Sequence, residues 1–261
     1  MWANLKDFVF SVNICLHLIR YRKSQEVLIY TRVWYLLYVF LLFKKIGLVD
    51  NKIFYESHQF SKFLFESLLE MKSIENLRVL NIGAGGPVQG IIESYLYKKV
   101  TSIDIDPARK PDIVMDVTNL EFNDNSFDLV IMMEVLEHVK EPKKALSEIY
   151  RVLSHNGKLI MSTPFILGIH DEPYDYYRFT KYGLEYLLRD FKIEIQETND
   201  FAHTILVLIG RLMKSKLRRD KIVSLMIFVP LLLVYPMVFI VSKLVISSHI
   251  TTGYFVKAIK N

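Results

Sequence analysis

Val79-Leu80-Asn81-Ile82-Gly83-Ala84-Gly85-Gly86-Pro87 reads as a short buried strand that runs into glycines and then into a helix. Glycine at such a turn lets the backbone bend sharply and lets a ligand approach the main chain with no Cβ in the way. The helix behind the turn offers unpaired N–H groups to an electronegative ligand. Many strand-to-helix turns carry glycine, so the reading depends on what surrounds this one.

Outward from it, short apolar runs alternate with helical ones. Residues 100–105 form a second strand, 112–117 a short third, and 127–133 a nearly unbroken Leu, Val, Ile and Met run typical of a strand buried on both faces. A helix starts near Pro142 and carries Ala145, Leu146, Ile149, Val152 and Leu153 on one stripe. Asn156-Gly157 marks a turn into a strand at 158–162. Thr180 caps a helix holding Leu184, Leu187 and Leu188, residues 191–197 alternate as a half-buried strand does, and 253–260 reads as a further strand. Before the glycine turn, Phe60, Phe63, Leu64, Leu68 and Leu69 share one face of a helix over 53–72. The expected fold is α/β, with a parallel sheet covered by helices on both faces.

Acids stand where the strands end. Asp104 lies 21 residues after Gly83, at the tip of the second strand, where a carboxylate accepts from both hydroxyls of a ribose; Asp106 is its rival. Asp116 closes the third strand and can accept from an exocyclic amine, with the backbone N–H of Val117 beside it. Glu134 and the pair Glu137-His138 follow the buried fourth strand. Open parallel sheets bind ligands at these carboxyl ends.

These residues resemble the class I S-adenosylmethionine-dependent methyltransferases. Phe127-Asp128-Leu129-Val130 and Val135-Leu136-Glu137-His138-Val139 are similar to that family's FDLV…LEHV signature, over about residues 75–200 plus the last strand. The resemblance implies a Rossmann-like, seven-stranded, mostly parallel sheet and S-adenosylmethionine as cofactor. It assigns Gly83, Ala84 and Gly85 to the methionine and ribose side, Asp104 to the ribose hydroxyls, Asp116 and Val117 to the adenine, and Glu134 to the methionine moiety. The chain departs from the family with Asn81 in place of an acid and Pro87 in place of a third glycine. A nicotinamide site would need glycine where Val88 stands.

After the fifth strand comes His170-Asp171-Glu172-Pro173-Tyr174-Asp175-Tyr176-Tyr177-Arg178-Phe179-Thr180, which looks like a run found in bacterial methyltransferases of glycan or lipid pathways. His170 is a candidate general base, because imidazole titrates nearest neutral pH, and Tyr176 and Arg178 are candidates for orienting the acceptor. His138 and His170 are not at metal-ligand spacing and no close His or Cys cluster is evident, so no metal is expected.

The chain has 261 residues, 51% of them hydrophobic, with 33 Lys and Arg against 28 Asp and Glu. The mild excess of +5 does not indicate a nucleic-acid binder. Cys15 is the only cysteine, which excludes an internal disulfide and fits a reducing compartment. Four regions are expected: an N-terminal helical and possibly membrane-apposed segment at 1–50, a methyltransferase core at 51–200, a basic and apolar helical insertion at 201–252, and the last core strand at 253–261. The apolar run 34–43 is only ten residues long, short of a bilayer span. Residues 211–221 hold six basic side chains and lead into 222–242, 21 residues without a charge but broken by Pro230 and Pro236. That pattern points to an element dipping into or lying on the cytoplasmic face of a membrane, with a soluble cytoplasmic enzyme as the alternative. The expected partners are a membrane surface and a small-molecule, lipid-linked or glycan acceptor. A non-catalytic membrane-associated scaffold on the same fold is the competing reading.

Overall fold

The computed structural model describes residues 55–71, 74, 76–96, 100–199 and 250–261, with single helical positions between 201 and 237. Cys15, the run 34–43 and the whole 1–50 segment lie outside the described residues. Helix α1 (Tyr55–Leu69) precedes β1 (Val79–Ile82), α2 (Gly86–Leu96), β2 (Thr101–Asp104), β3 (Ile113–Val114) and β4 (Phe127–Met133). Then follow α3 (Pro142–Val152), β5 (Leu153–Pro164), α4 (Lys181–Leu187), β6 (Phe191–Glu197) and β7 (Gly253–Lys260). The seven strands form one sheet in the order β3-β2-β1-β4-β5-β7-β6, parallel except that β7 runs antiparallel between β5 and β6.

The sheet works because adjacent residues of its central strands point to opposite faces. Leu80, Ile82, Val130, Met132, Leu159 and Met161 face one core with Leu146 and Ile149 of α3 and Leu184 of α4. Val79, Leu129, Ile131 and Ile160 face the other, with Leu64 and Leu68 of α1 and Ile92 and Leu96 of α2. Each such Leu or Ile contributes about 2 kcal/mol by leaving water. Phe63 stacks on Phe255 of β7, ring centroids 4.5 Å apart, so α1 and the last strand hold each other. Gly253 is required at the start of β7, because a Cβ there would collide with the carbonyl oxygen of Thr163.

Three expectations need correction. Strand β3 is only Ile113–Val114, so Asp116 stands in the turn beyond it and not at its end. The turn at Asn156-Gly157 is absorbed into a single strand, β5, which starts at Leu153; Asn156 takes φ +59° and the pairing with β4 shifts register between Phe127 and Leu129. Leu69 is exposed, because it shares the outer face of α1 with Phe65 four residues before it, while Leu64 and Leu68 turn inward. The sheet is mostly parallel, as expected, and β6 follows its alternating pattern beside antiparallel β7.

Arg78 pins the start of β1 to the start of β4. Its backbone N, Nε and Nη2 all donate to the carboxylate of Asp128, at 3.0, 3.0 and 2.6 Å, and Ser154 Oγ adds a fourth bond at 3.0 Å. The side-chain hydrogen bonds from Arg78 lower the Asp128 pKa from 3.8 to about 2. A depressed folded-state pKa stabilises the fold above the unfolded value and loses that contribution as pH falls through the folded one. Asp128→Asn should therefore cost roughly 1 kcal/mol at neutral pH, a figure discounted for the half-exposed guanidinium. In urea denaturation the gap between wild type and variant should close as pH falls from about 4 towards 2.

Candidate functional site

The glycine turn is strained in the way its sequence suggests. Gly83 and Gly85 hold φ +91° and +89°. A Cβ on Gly83 would lie 2.5 Å from Val135 Cγ2, and one on Gly85 would press to 3.2 Å from the Arg109 carbonyl oxygen. The N–H groups of Gly83 and Ala84 donate to the carbonyl of Ile103, at 2.9 and 3.2 Å, which fixes the turn against β2. The turn is thus a cradle that any side chain would fill.

Asn81, 1% exposed, donates from Nδ2 to Gln89 Oε1 at 2.6 Å, while Gln89 Nε2 donates to Glu93 at 2.7 Å. Because Glu93 takes the Gln89 amide, position 81 must itself donate, and an ionised acid could not. The departure from the family is therefore matched by a partner in this chain. Asn81 Oδ1 is left as a buried acceptor with no protein donor. A cradle with an orphaned buried oxygen beside it suits a ligand that brings donors of its own.

Asp104 ends β2 with its side chain 9% exposed; Oδ1 accepts from the N–H of Asp106 at 2.8 Å, and Arg109 Nε lies 3.8 Å from Oδ2. Asp106 is spent on capping the turn Pro107–Arg109, where it accepts from Ala108 N at 2.9 Å. Each of the two acids thus keeps one oxygen clear of a backbone N–H, and Asp104 is the more buried of them. Asp116 is exposed and accepts from Thr118 N at 2.8 Å, with Val117 buried beside it. Glu134 sits just past β4 at φ +53°, and buried Ser162 donates to its Oε1 at 2.6 Å. Gly83, Asp104 and Glu134 thus stand at the carboxyl ends of β1, β2 and β4.

His138 and His170, which form no metal-ligand pattern in the sequence, stand side by side in the fold. Their rings stand 4.9 Å centroid to centroid, because the turn Leu136–His138 and the segment after β5 meet in front of the sheet. Tyr176 and Tyr177 donate their backbone N–H groups to the Glu137 carbonyl, at 2.9 and 3.2 Å, and Tyr177 Oη donates to the Lys140 carbonyl at 2.9 Å. Glu137 is fully buried, with Oε1 3.6 Å from His138 Nε2 and 3.5 Å from His170 Nε2. The Glu137 carboxylate facing its Nε2, with Asp175 beside its Nδ1, raises the His170 pKa against the opposing effect of burial.

Arg178 is occupied. It donates to both oxygens of Asp175, at 2.5 and 2.6 Å, and to the carbonyls of Leu167, Gly168 and Tyr177. Those bonds hold the Asp175 carboxyl well below the usual carboxylate range. Arg178 therefore folds the segment that presents His170, while Tyr176 lies partly exposed at the mouth. Asp175 and Ser162 escaped the sequence reading as site residues. Asp175 and Glu137 stood inside quoted motifs, but nothing in their spacing shows which way a side chain turns.

Residues 80–161 match the family model described as "Methyltransferase domain". Among curated proteins, demethylmenaquinone methyltransferase of Renibacterium salmoninarum is 35% identical over 100 residues, 34% of this chain and 42% of that one. The mitochondrial ubiquinone biosynthesis O-methyltransferase of Schizosaccharomyces pombe is 32% identical over 117 residues, 39% of this chain and 43% of that one. The chain thus spans about two fifths of the length of these relatives. A solved structure of Haemonchus contortus phosphoethanolamine N-methyltransferase 2 with S-adenosyl-L-methionine aligns at TM-score 0.49 and 18% identity, over 85% of this chain and 60% of that one. Residues 80–161, which carry the glycine cradle at the head of the sheet, are thus similar to the methyltransferase-domain family.

Proposed function

We propose that this protein transfers a methyl group from S-adenosylmethionine to a small lipophilic acceptor of the quinone-precursor kind, reached from a membrane surface. The observation that carries the transfer is the convergence of the Gly83 cradle, Asp104, Glu134 and the His170 segment at one end of the sheet. The relatives named for demethylmenaquinone and for ubiquinone biosynthesis support the acceptor class. The membrane reading is supported by Ile222, Val223, Met226, Ile227, Val234 and Met237, apolar helical residues that are 42–70% exposed. Among the described residues no helix is long and apolar enough to cross a membrane, so the fit is to an element lying on the surface.

The cofactor supplies an already activated methyl on a sulfonium, so the protein's task is alignment and exclusion of water. Gly83, Ala84 and Gly85 let the main chain close on its methionine and ribose, Asp104 accepts from the ribose hydroxyls, and Asp116 with Val117 N–H meets the adenine edge. Glu134, held by Ser162, takes the methionine end, and the Asn81 oxygen gains a donor. On the acceptor side His170, backed by Glu137, receives the hydroxyl proton, Tyr176 lines the entrance, and Arg178 keeps the segment in place through Asp175.

Calorimetric titration with S-adenosylmethionine should show one site per chain. Asp104→Ala should weaken it about tenfold to a hundredfold, the worth of hydrogen bonds to a charged group. Gly83→Ala should abolish binding through the clash with Val135; unaltered affinity in both variants overturns the cofactor assignment. Incubating the protein with methyl-labelled cofactor and a membrane extract should place label in the solvent-extractable lipid fraction; label confined to glycan overturns the acceptor class. The wild type should float with anionic phospholipid vesicles and Met226→Glu/Met237→Glu should not, since each puts a negative charge at an exposed apolar position.

A further inference from the structure

Glu137 is the most unusual side chain of the described residues, a carboxylate at 0% exposure whose two oxygens both lack a hydrogen-bond donor. A bare buried carboxylate is costly, so something must compensate it. The groups that face it are two imidazole nitrogens, His138 Nε2 at 3.6 Å and His170 Nε2 at 3.5 Å.

The other nitrogen of each ring says what those two present. His138 Nδ1 lies 2.9 Å from the Tyr174 carbonyl, an acceptor, so the proton of the neutral ring sits on Nδ1 and Nε2 carries a lone pair. His170 Nδ1 lies 3.4 Å from both the Gly168 carbonyl and Asp175 Oδ2, with Arg178 Nη2 at 3.5 Å. Two acceptors, one of them anionic, place its proton on Nδ1 too. Three lone-pair donors, two nitrogens and one oxygen, therefore converge with nothing between them.

Two fillings answer this, protons or a cation, and distance separates them. A protonated imidazole bridging to a carboxylate closes to about 2.7–2.9 Å. Here both gaps are 3.5–3.6 Å, too long for that bond. Ligands held about 2.0–2.1 Å from a tetrahedral ion stand about 3.3–3.4 Å from one another. The three ligand atoms all lie within 4.8 Å of one another, so small side-chain movements complete the set. Each ring also donates its remote N–H to an oxygen, the arrangement that orients metal-bound histidines.

We infer that Glu137, His138 and His170 form a binding site for one divalent transition-metal ion of the zinc type. Two imidazoles and one carboxylate select such an ion over magnesium or calcium, which favour all-oxygen sets. The histidine side chains are 20% and 19% exposed, which leaves a path in from the mouth. Asp171 Oδ2, 4.0 Å from His138 Nε2 and 64% exposed, stands beside the fourth position without filling it. That position takes water or an acceptor oxygen. Its use by an acceptor rests on the proposed function; the binding of the ion does not. With the ion in place His170 is a ligand, and a hydroxyl on the ion loses its proton more readily than it does in water.

The test uses the full chain without a histidine tag, stripped with a chelator and titrated calorimetrically with zinc chloride, with cobalt(II) as a visible-absorbance probe. One equivalent should bind, and cobalt should give the intense spectrum of a tetrahedral nitrogen and oxygen site. His138→Gln and His170→Gln should each weaken zinc at least about tenfold. His155→Gln, on an exposed histidine outside the cluster, should change nothing. Both cluster variants keep Glu137, so a loss of affinity without a loss of circular dichroism signal is a loss of ligand. Absence of binding by wild type, or equal binding by both cluster variants, overturns the site. A chain that binds zinc but not S-adenosylmethionine overturns the proposed function and leaves the ion site standing.

Discussion

Burial of β4 on both faces and both edges is the constraint from which the rest follows. Its backbone pairs with β1 and β5, and six of its seven side chains are buried. A strand so enclosed cannot shift register without moving its apolar set to the wrong side. Everything just past its end is therefore placed with little freedom: Glu134 at positive φ, Val135 against Gly83, and Glu137 under the two histidines. One apolar run thus positions groups on both the cofactor and the acceptor side.

The fold was legible because it is written in local terms. The run 127–133, the stripe of α3 and the Thr180 cap depend on neighbours in sequence, and each appears where its pattern put it. The misreadings lie where tertiary contacts decide. Strand β3 pairs with β2 over two residues only, so its pattern outran its pairing, and β5 begins directly at the end of α3, which hid its first residues behind an apparent turn.

The place of the glycine turn and of Asp104 was legible in the sequence and that of the two histidines was not, for the same reason. The Gly83 turn and Asp104 belong to single strand ends, where position along the chain gives position in space. The pairing of His138 with His170 spans 32 residues of sequence and depends on how the segment after β5 folds back, a path set by the Arg178–Asp175 fork and by two N–H groups seeking the Glu137 carbonyl. No periodicity announces such a return. Asn81 shows the reverse case, a residue that departs from the methyltransferase pattern and whose partner, Gln89, stands one turn into the next helix.

The position of β7 bears on how the protein is made. Strand β6 has no neighbour in the sheet except β7, and β7 enters between β5 and β6 only after 198–252 has been synthesised. Until then the growing chain carries two open strand edges, on β5 and β6, beside an apolar segment. The basic run 211–221 leaves the ribosome before 222–242 does, and its charge repels other nascent chains through that interval.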